Sequence, residues 1–237
     1  MRYKKLDWDS DFFGYSVVYV EVRSRNEALQ LKSMIMDIKR DGVKLIYISS
    51  DFLLELESPF VFLVDKKVTL TKNEIHSGSV CSWPVGVEIY NRNLTAYDYT
   101  CLESLAIQSG KFSRFNIDSN IPKYKFNQLY KTWLYASIEN KVADSLFFIR
   151  AEGEIVAFIT VSNKNRIGDI GLLAVDKDYR GRGYSKKLIS AANAFFRDNN
   201  VLSSQVVTQL DNKPAMKLYE KVGFKVDIIK YYYHCWL

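Results

Sequence analysis

The apolar run Gly171-Leu172-Leu173-Ala174-Val175 leads, across a short polar link, into Tyr179-Arg180-Gly181-Arg182-Gly183-Tyr184-Ser185. The run reads as a buried strand. The basic, glycine-rich turn then opens a segment with Tyr184, Leu188, Ala191 and Phe195 spaced along one helix face. Strand, glycine turn and helix together aim free backbone N–H groups and a helix dipole at a pyrophosphate. These residues therefore point to a phosphate-bearing cofactor.

Three turn types compete for that role. A P-loop needs a Lys-Ser/Thr pair after its second glycine, and none is present. A dinucleotide turn needs G-x-G-x-x-G; Gly181-Arg182-Gly183 begins it, but Lys186 stands where the third glycine belongs. The remaining pattern, R-x-x-G-x-[G/A], fits Arg180-Gly181-Arg182-Gly183-Tyr184-Ser185 with Ser in the last small position. This segment resembles the coenzyme-binding motif of the GCN5-related N-acetyltransferases (GNAT). Downstream, Asn212-Lys213-Pro214-Ala215-Met216-Lys217-Leu218-Tyr219-Glu220-Lys221-Val222-Gly223-Phe224 is similar to a second motif of that family, N-x-x-A-x-x-L-Y-x-x-x-G-F, in the family's order.

The resemblance implies an α/β (α+β) chain with a mixed, twisted central sheet flanked by helices, and acetyl-coenzyme A as acyl donor. It implies that the strand Leu172 to Val175 pairs with the pantetheine arm as another strand would, with Leu173, Ala174 and Val175 binding the coenzyme and a backbone N–H among Leu172 to Ala174 facing the thioester carbonyl. Arg180, Gly181, Arg182, Gly183, Tyr184 and Ser185 would hold the pyrophosphate, with Lys186 and Asn212 beside them. Tyr219 corresponds to a tyrosine that protonates the departing thiolate in many members. Plainer roles stand beside these: Tyr219 as a core aromatic, Lys186 and Lys187 as a solvated helix face, Asn212 as a helix N-cap. Asp169 and Glu88 are candidate carboxylates for a general base, and neither is assigned.

Other segments bear on the acceptor. Leu6-Asp7-Trp8-Asp9-Ser10-Asp11-Phe12-Phe13-Gly14, Ser113-Arg114-Phe115, Val207-Thr208-Gln209 and the ending Tyr231-Tyr232-Tyr233-His234-Cys235-Trp236-Leu237 resemble a subgroup, the TDP-fucosamine acetyltransferases. Members of that subgroup N-acetylate a TDP-linked 4-amino-4,6-dideoxy sugar for surface polysaccharide. The resemblance implies a nucleotide-sugar substrate, with Arg114, Phe115 and Gln209 as candidate contacts. Arg114 and the Phe12-Phe13-Gly14 segment read equally as packing. A protein N-terminus or another small amine is the alternative acceptor.

Composition narrows the remainder. With 48% hydrophobic and 25% charged residues, the chain is expected to pack rather than stay disordered. The net charge of +6 is spread along the chain, which suits an anionic small ligand and gives no block for nucleic acid. Cys81, Cys101, Cys235, His76 and His234 lack metal-ligand spacing, so no metal is expected. No apolar run suggests membrane insertion, and the opening residues lack a signal-peptide core, so a cytoplasmic location is expected. Two domains are expected: residues 1–85 as a small N-terminal α/β unit, and residues 86–237 as the acetyltransferase unit. In the first, strands are expected from Val17 to Val22, Val43 to Ser49, Pro59 to Val64 and Val68 to Thr71. A helix starts at the capping box Ser24-Arg25-Asn26-Glu27. In the second, strands are expected from Val87 to Tyr90, Leu146 to Arg150, Ile155 to Val161 and Ser204 to Thr208. Helices follow Ala96 and Phe126, and two strands, Phe224 to Ile229 and Tyr231 to Trp236, end the chain. That last strand is free to pair within its own sheet or across a homodimer.

Overall fold

Valines at 17, 18, 20 and 22 make an apolar β-branched run, and it forms a buried strand, β2 (Val17–Val22), behind β1 (Tyr3–Lys5) and helix α1 (Asp7–Phe13). The chain continues through α2 (Arg25–Arg40), β3 (Leu45–Ser50), β4 (Val61–Asn73), β5 (Glu88–Ile89), α3 (Ala96–Ser109), α4 (Arg114–Ile117) and α5 (Lys123–Ile138). Then come β6 (Ser145–Ala151), β7 (Glu154–Lys164), β8 (Ile167–Val175), α6 (Tyr184–Asp198), β9 (Ser203–Gln209), α7 (Lys213–Lys221) and β10 (Lys225–Trp236). The computed structural model describes residues 2–56, 60–73 and 82–237. His76 and Cys81, and most of the polar stretch between Thr71 and Gly86, lie outside the described residues.

All these strands join one mixed sheet, ordered β1-β2-β3-β10-β4-β9-β8-β7-β6-β5. The final strand is therefore internal. Tyr231 to Cys235 pair with β3 on one side and β4 on the other, so both edges of that segment are satisfied within the chain. Phe224 to Trp236 contains one bulged strand rather than the two expected. Likewise, the segments around Val64 and Val68 form one long β4, with Pro59 outside the described residues. The β1 strand and helices α1 and α4 were not expected from sequence. Ser24 caps α2 by accepting from Glu27 N–H, but the Glu27 carboxylate accepts from Arg23 N–H rather than from Ser24, leaving the capping box half-formed.

Alternation along the central strands buries both faces of the sheet. Phe147 and Ile149 pack into the layer that holds α6, while Leu146 and Phe148 face α3 and α5. The same holds for β3: Ile46 and Ile48 meet α2, and Leu45 and Tyr47 meet α1, α4 and α5. Helix α5 bridges the sheet, with Phe126, Leu129 and Tyr130 in one cluster and Leu134 and Ile138 in another. The β6–β7 hairpin turns through Glu152 (φ 54°) and Gly153 (φ 86°), both left-handed, as a tight two-residue turn requires.

Candidate active site

Strands β8 and β9 are parallel and joined through α6, but they pair only from Ile167 with Ser203 to Ile170 with Val206. Beyond that point they diverge, and Leu173 to Val175 keep a partner only on the β7 side. The cause is local. Between Ile170 and Leu173 the β8 strand carries an extra residue opposite Thr160, a bulge that bends the strand away from its neighbour. Thr160 Oγ1 accepts a hydrogen bond from Leu172 N–H at 2.8 Å and takes the place of the missing ladder bond. Residue 171 must then be glycine, because a Cβ there would lie 2.7 Å from that same Oγ1.

The phase of the remaining ladder says which N–H groups face the gap. Asp176 N–H donates to Val156 O at 2.8 Å. Antiparallel partners exchange bonds at alternate residues, so Ala174 N–H turns towards β7, while Leu173 and Val175 N–H face the open side. An extended chain laid in the gap would meet those two donors. Of the three strand residues, Ala174 therefore offers its side, not its N–H.

At the end of β8, Asp176 starts a single 3-10 turn, and Arg180 Nε donates back to Val175 O at 3.1 Å. Gly181 (φ +80°) and Gly183 (φ +81°) are left-handed with open space beside their α-carbons. Gly183 is the N-cap of α6, and no side chain caps that helix. Its first N–H groups therefore point into the cleft with the helix dipole behind them, an anion site made of backbone alone. Gln108 of α3 braces the turn by donating to Asp176 Oδ2 at 2.9 Å.

These parts enclose a cleft of about 450 Å³ lined by Leu173, Ala174, Val175, Arg180, Gly181, Gly183, Tyr184 and Ser185, with Gln209, Asn212 and Tyr219 opposite. Arg182 and Lys186 are not in its wall. Arg182 lies over the Tyr179 ring at 4.7 Å, and Lys186 follows on the helix. Asn212 caps α7 through Ala215 N–H at 3.3 Å, so the N-cap role holds while the residue also borders the cleft. Tyr219 is 5% exposed and packs edge-on against Phe224. Burial pushes its phenol well above the ordinary tyrosine value, so it stays protonated at neutral pH. Neither earlier carboxylate candidate reaches the cleft wall. Asp169 accepts from Gln205 across the paired part of β8 and β9, and Glu88 stands on β5 beside Arg150.

The three candidate acceptor contacts separate. Gln209 lines the cleft. Phe115 is 6% exposed and packs among Phe13, Tyr47 and Trp133, a core position. Arg114 lies between the rings of Tyr47, Phe115 and Tyr232, at 4.6, 4.7 and 4.8 Å, and its buried Nε has no hydrogen-bond partner among the described residues. Sequence reading missed Gln108, Lys111, Phe112 and Tyr130, which α3, α5 and the loop between them bring to the cleft. They carry no motif, and only the packing of those helices on the sheet puts them there.

Residues 114–224 match the acetyltransferase (GNAT) family. Spore coat polysaccharide biosynthesis protein SpsD of Bacillus subtilis is 25% identical over 59% of this chain and 48% of its own, so this chain spans about half the length of that relative. An N-alpha-acetyltransferase of Saccharolobus solfataricus is 28% identical over 52% of this chain and 77% of its own. The solved structure of a GCN5-related N-acetyltransferase from Sphaerobacter thermophilus shares the fold, with a TM-score of 0.61 at 12% identity over 98% of this chain and 75% of that one. The splayed strands, the uncapped glycine turn and the matched segment agree: the chain has the mixed α/β GNAT fold, and its residues 114–224 are similar to the acetyltransferase (GNAT) family.

Proposed function

We propose that this protein is an acetyl-coenzyme A-dependent N-acetyltransferase whose acceptor is the amine of a nucleotide-linked, TDP-type 4-amino-4,6-dideoxy sugar. The observation that carries the transfer reading is the opening of β8 from β9 directly before the uncapped N-terminus of α6. Leu173 and Val175 take the pantetheine arm as an added strand, and Leu173 N–H or Val175 N–H polarises the thioester carbonyl. Gly181 to Ser185 take the pyrophosphate, with the Arg180 guanidinium beside it. Tyr219 donates the proton that the coenzyme thiolate needs as it leaves. In this reading residues 86–237 hold the coenzyme, and residues 1–85 bring β4 against the acceptor end.

The sugar assignment draws on the similarity to a polysaccharide biosynthesis protein and on Arg114, a half-buried cation near Asp9 and Asp65 that forms no salt bridge among the described residues. A nucleotide diphosphate would supply the missing anion. A peptide N-terminus is the second reading, supported by the match to an archaeal N-alpha-acetyltransferase. Release of free thiol from acetyl-coenzyme A separates the two. Turnover with a TDP-4-amino sugar and none with a short peptide supports the first, and the reverse result replaces it with the second.

A further inference from the structure

A second cavity of about 170 Å³ adjoins the cleft, and Phe112 and Gln209 line both. Asp65 forms part of its wall. Here β4 is bulged: Asp65 pairs with Tyr232 and Leu63 with Tyr233, so Val64 is an extra residue that re-aims its neighbour. Asp65 Oδ1 is buried and has no hydrogen-bond partner among the described residues. The groups that face Asp65 come from six parts of the fold: Lys67 on β4, Arg114 on α4, Gln209 on β9, Asp211 ahead of α7, and the phenols Tyr130 on α5 and Tyr232 on β10. Burial raises its carboxyl to about 7, against the charges of Arg114 and Lys67 and the amide of Gln209. A desolvated carboxylate oxygen without a donor is unfavourable unless a donor arrives with a ligand. An ammonium group meets that need.

We propose that Asp65 takes the proton from the acceptor's ammonium, and that Arg114 ties this step to the docking of an anionic acceptor. The proposal rests on the acetyl-transfer reading above. The ammonium gives one proton to Asp65, and the freed lone pair forms the C–N bond to the thioester carbonyl. The C–S bond breaks with its electron pair on sulfur, and the thiolate takes a proton from Tyr219. The second proton, lost from nitrogen as the amide forms, returns to the tyrosinate, and Asp65 passes its own to solvent. Arg114 rests on three ring faces, with its charge acting on Asp9 and Asp65, and its N–H groups take the incoming anion. When a phosphate neutralises that cation, Asp65 is no longer held down by it and becomes the stronger base.

The test is the pH dependence of kcat/KM, measured with TDP-4-amino-4,6-dideoxygalactose and with a short peptide bearing a free N-terminus. The expected wild-type profile has an acid limb near pH 7. Asp65→Asn should lower kcat by about 10²-fold or more, remove that limb and leave acetyl-coenzyme A affinity unchanged. Asp65→Glu should keep the limb at a shifted pH, which a purely structural role would not do. Arg114→Gln should move the limb in kcat/KM upward and raise KM for the nucleotide sugar but not for the peptide. A wild-type limb retained in Asp65→Asn overturns the proposal. Turnover of the peptide alone sinks the sugar reading, and the Asp65 comparison is then read with the peptide. If wild type uses neither acceptor, the limb is read on the slow transfer of acetyl to water.

Discussion

The bulge that opens the cleft predicts a strong, signed coupling between two residues. Thr160→Ala removes the oxygen that accepts from Leu172 N–H and leaves that donor unpaired, which costs about 1–3 kcal/mol. Gly171→Ala keeps that oxygen but forces a methyl group to 2.7 Å from it, and overpacking of this kind costs about 1–3 kcal/mol. The other atoms of Thr160 are not the obstacle, since its carbonyl oxygen and Cβ lie 3.8 and 3.9 Å from the added methyl group. In the double variant the new methyl therefore occupies space that Oγ1 has left. The Gly171→Ala penalty should vanish in the Thr160→Ala background, giving a coupling of about 1–3 kcal/mol. Each kcal/mol moves the melting temperature by about 2–4 °C for a chain of this size, so thermal unfolding of the four proteins resolves the cycle. Calorimetric titration with acetyl-coenzyme A should show weaker binding in both single variants, because both disturb the strand that carries the Leu173 and Val175 N–H groups. Additivity within about 0.5 kcal/mol would show that Thr160 Oγ1 does not set the bulge.

Three further outcomes follow from the same geometry. Tyr219→Phe should lower kcat by about 10²-fold or more with coenzyme affinity nearly unchanged, since only the leaving-group acid is lost; unchanged turnover removes that role. Gly183→Val combines a left-handed backbone with a side chain at the helix N-terminus, so acetyl-coenzyme A affinity measured by calorimetry should fall by about tenfold or more; equal affinity would remove the pyrophosphate assignment. The buried pair His234 and Asp118 should make stability fall in acid. Burial holds the His234 imidazole below its ordinary value, against the pull of Asp118. Burial also raises Asp118, but hydrogen bonds from His234, Asn120 and Trp236 outweigh it and keep the carboxyl low. His234 therefore contributes fully above about pH 6.5, where the unfolded chain is also neutral, and loses its contribution as the unfolded imidazole takes a proton below that; Asp118 adds a second loss below about pH 4. The melting-temperature gap between wild type and His234→Gln should be widest above pH 7 and narrow below about 6.5, and a gap constant from pH 8 to 5 would refute this.

The glycine turn and the starts of α6 and α7 were legible in the sequence because their information is local. Positive-φ glycines, an uncapped helix start and Asn212-Lys213-Pro214 act within a few residues of themselves, and their geometry is nearly independent of what surrounds them. The α6 face and the strands β6 and β7 were legible for the same reason. What the spacing did not reveal depends on partners far along the chain. Residues 231–236 read as a last strand from their own pattern, but their place between β3 and β4 is set by pairing with residues in the first third of the chain. Phe115 looked like a candidate contact beside Arg114, but its ring is buried among Phe13, Tyr47 and Trp133, while Arg114 stays half-exposed across the faces of Phe115 and Tyr47. Asp65 carried no motif at all: a single aspartate in a strand acquires chemistry only when a bulge aims it at a neighbouring cavity and Arg114, Lys67 and Gln209 close around it. By itself the sequence determined the glycine turn and the uncapped start of α6, since backbone dihedrals and helix ends are properties of short segments. The tertiary structure alone decided which side chains gather beside that turn, since burial, electrostatic fields and strand register are properties of the whole packed sheet.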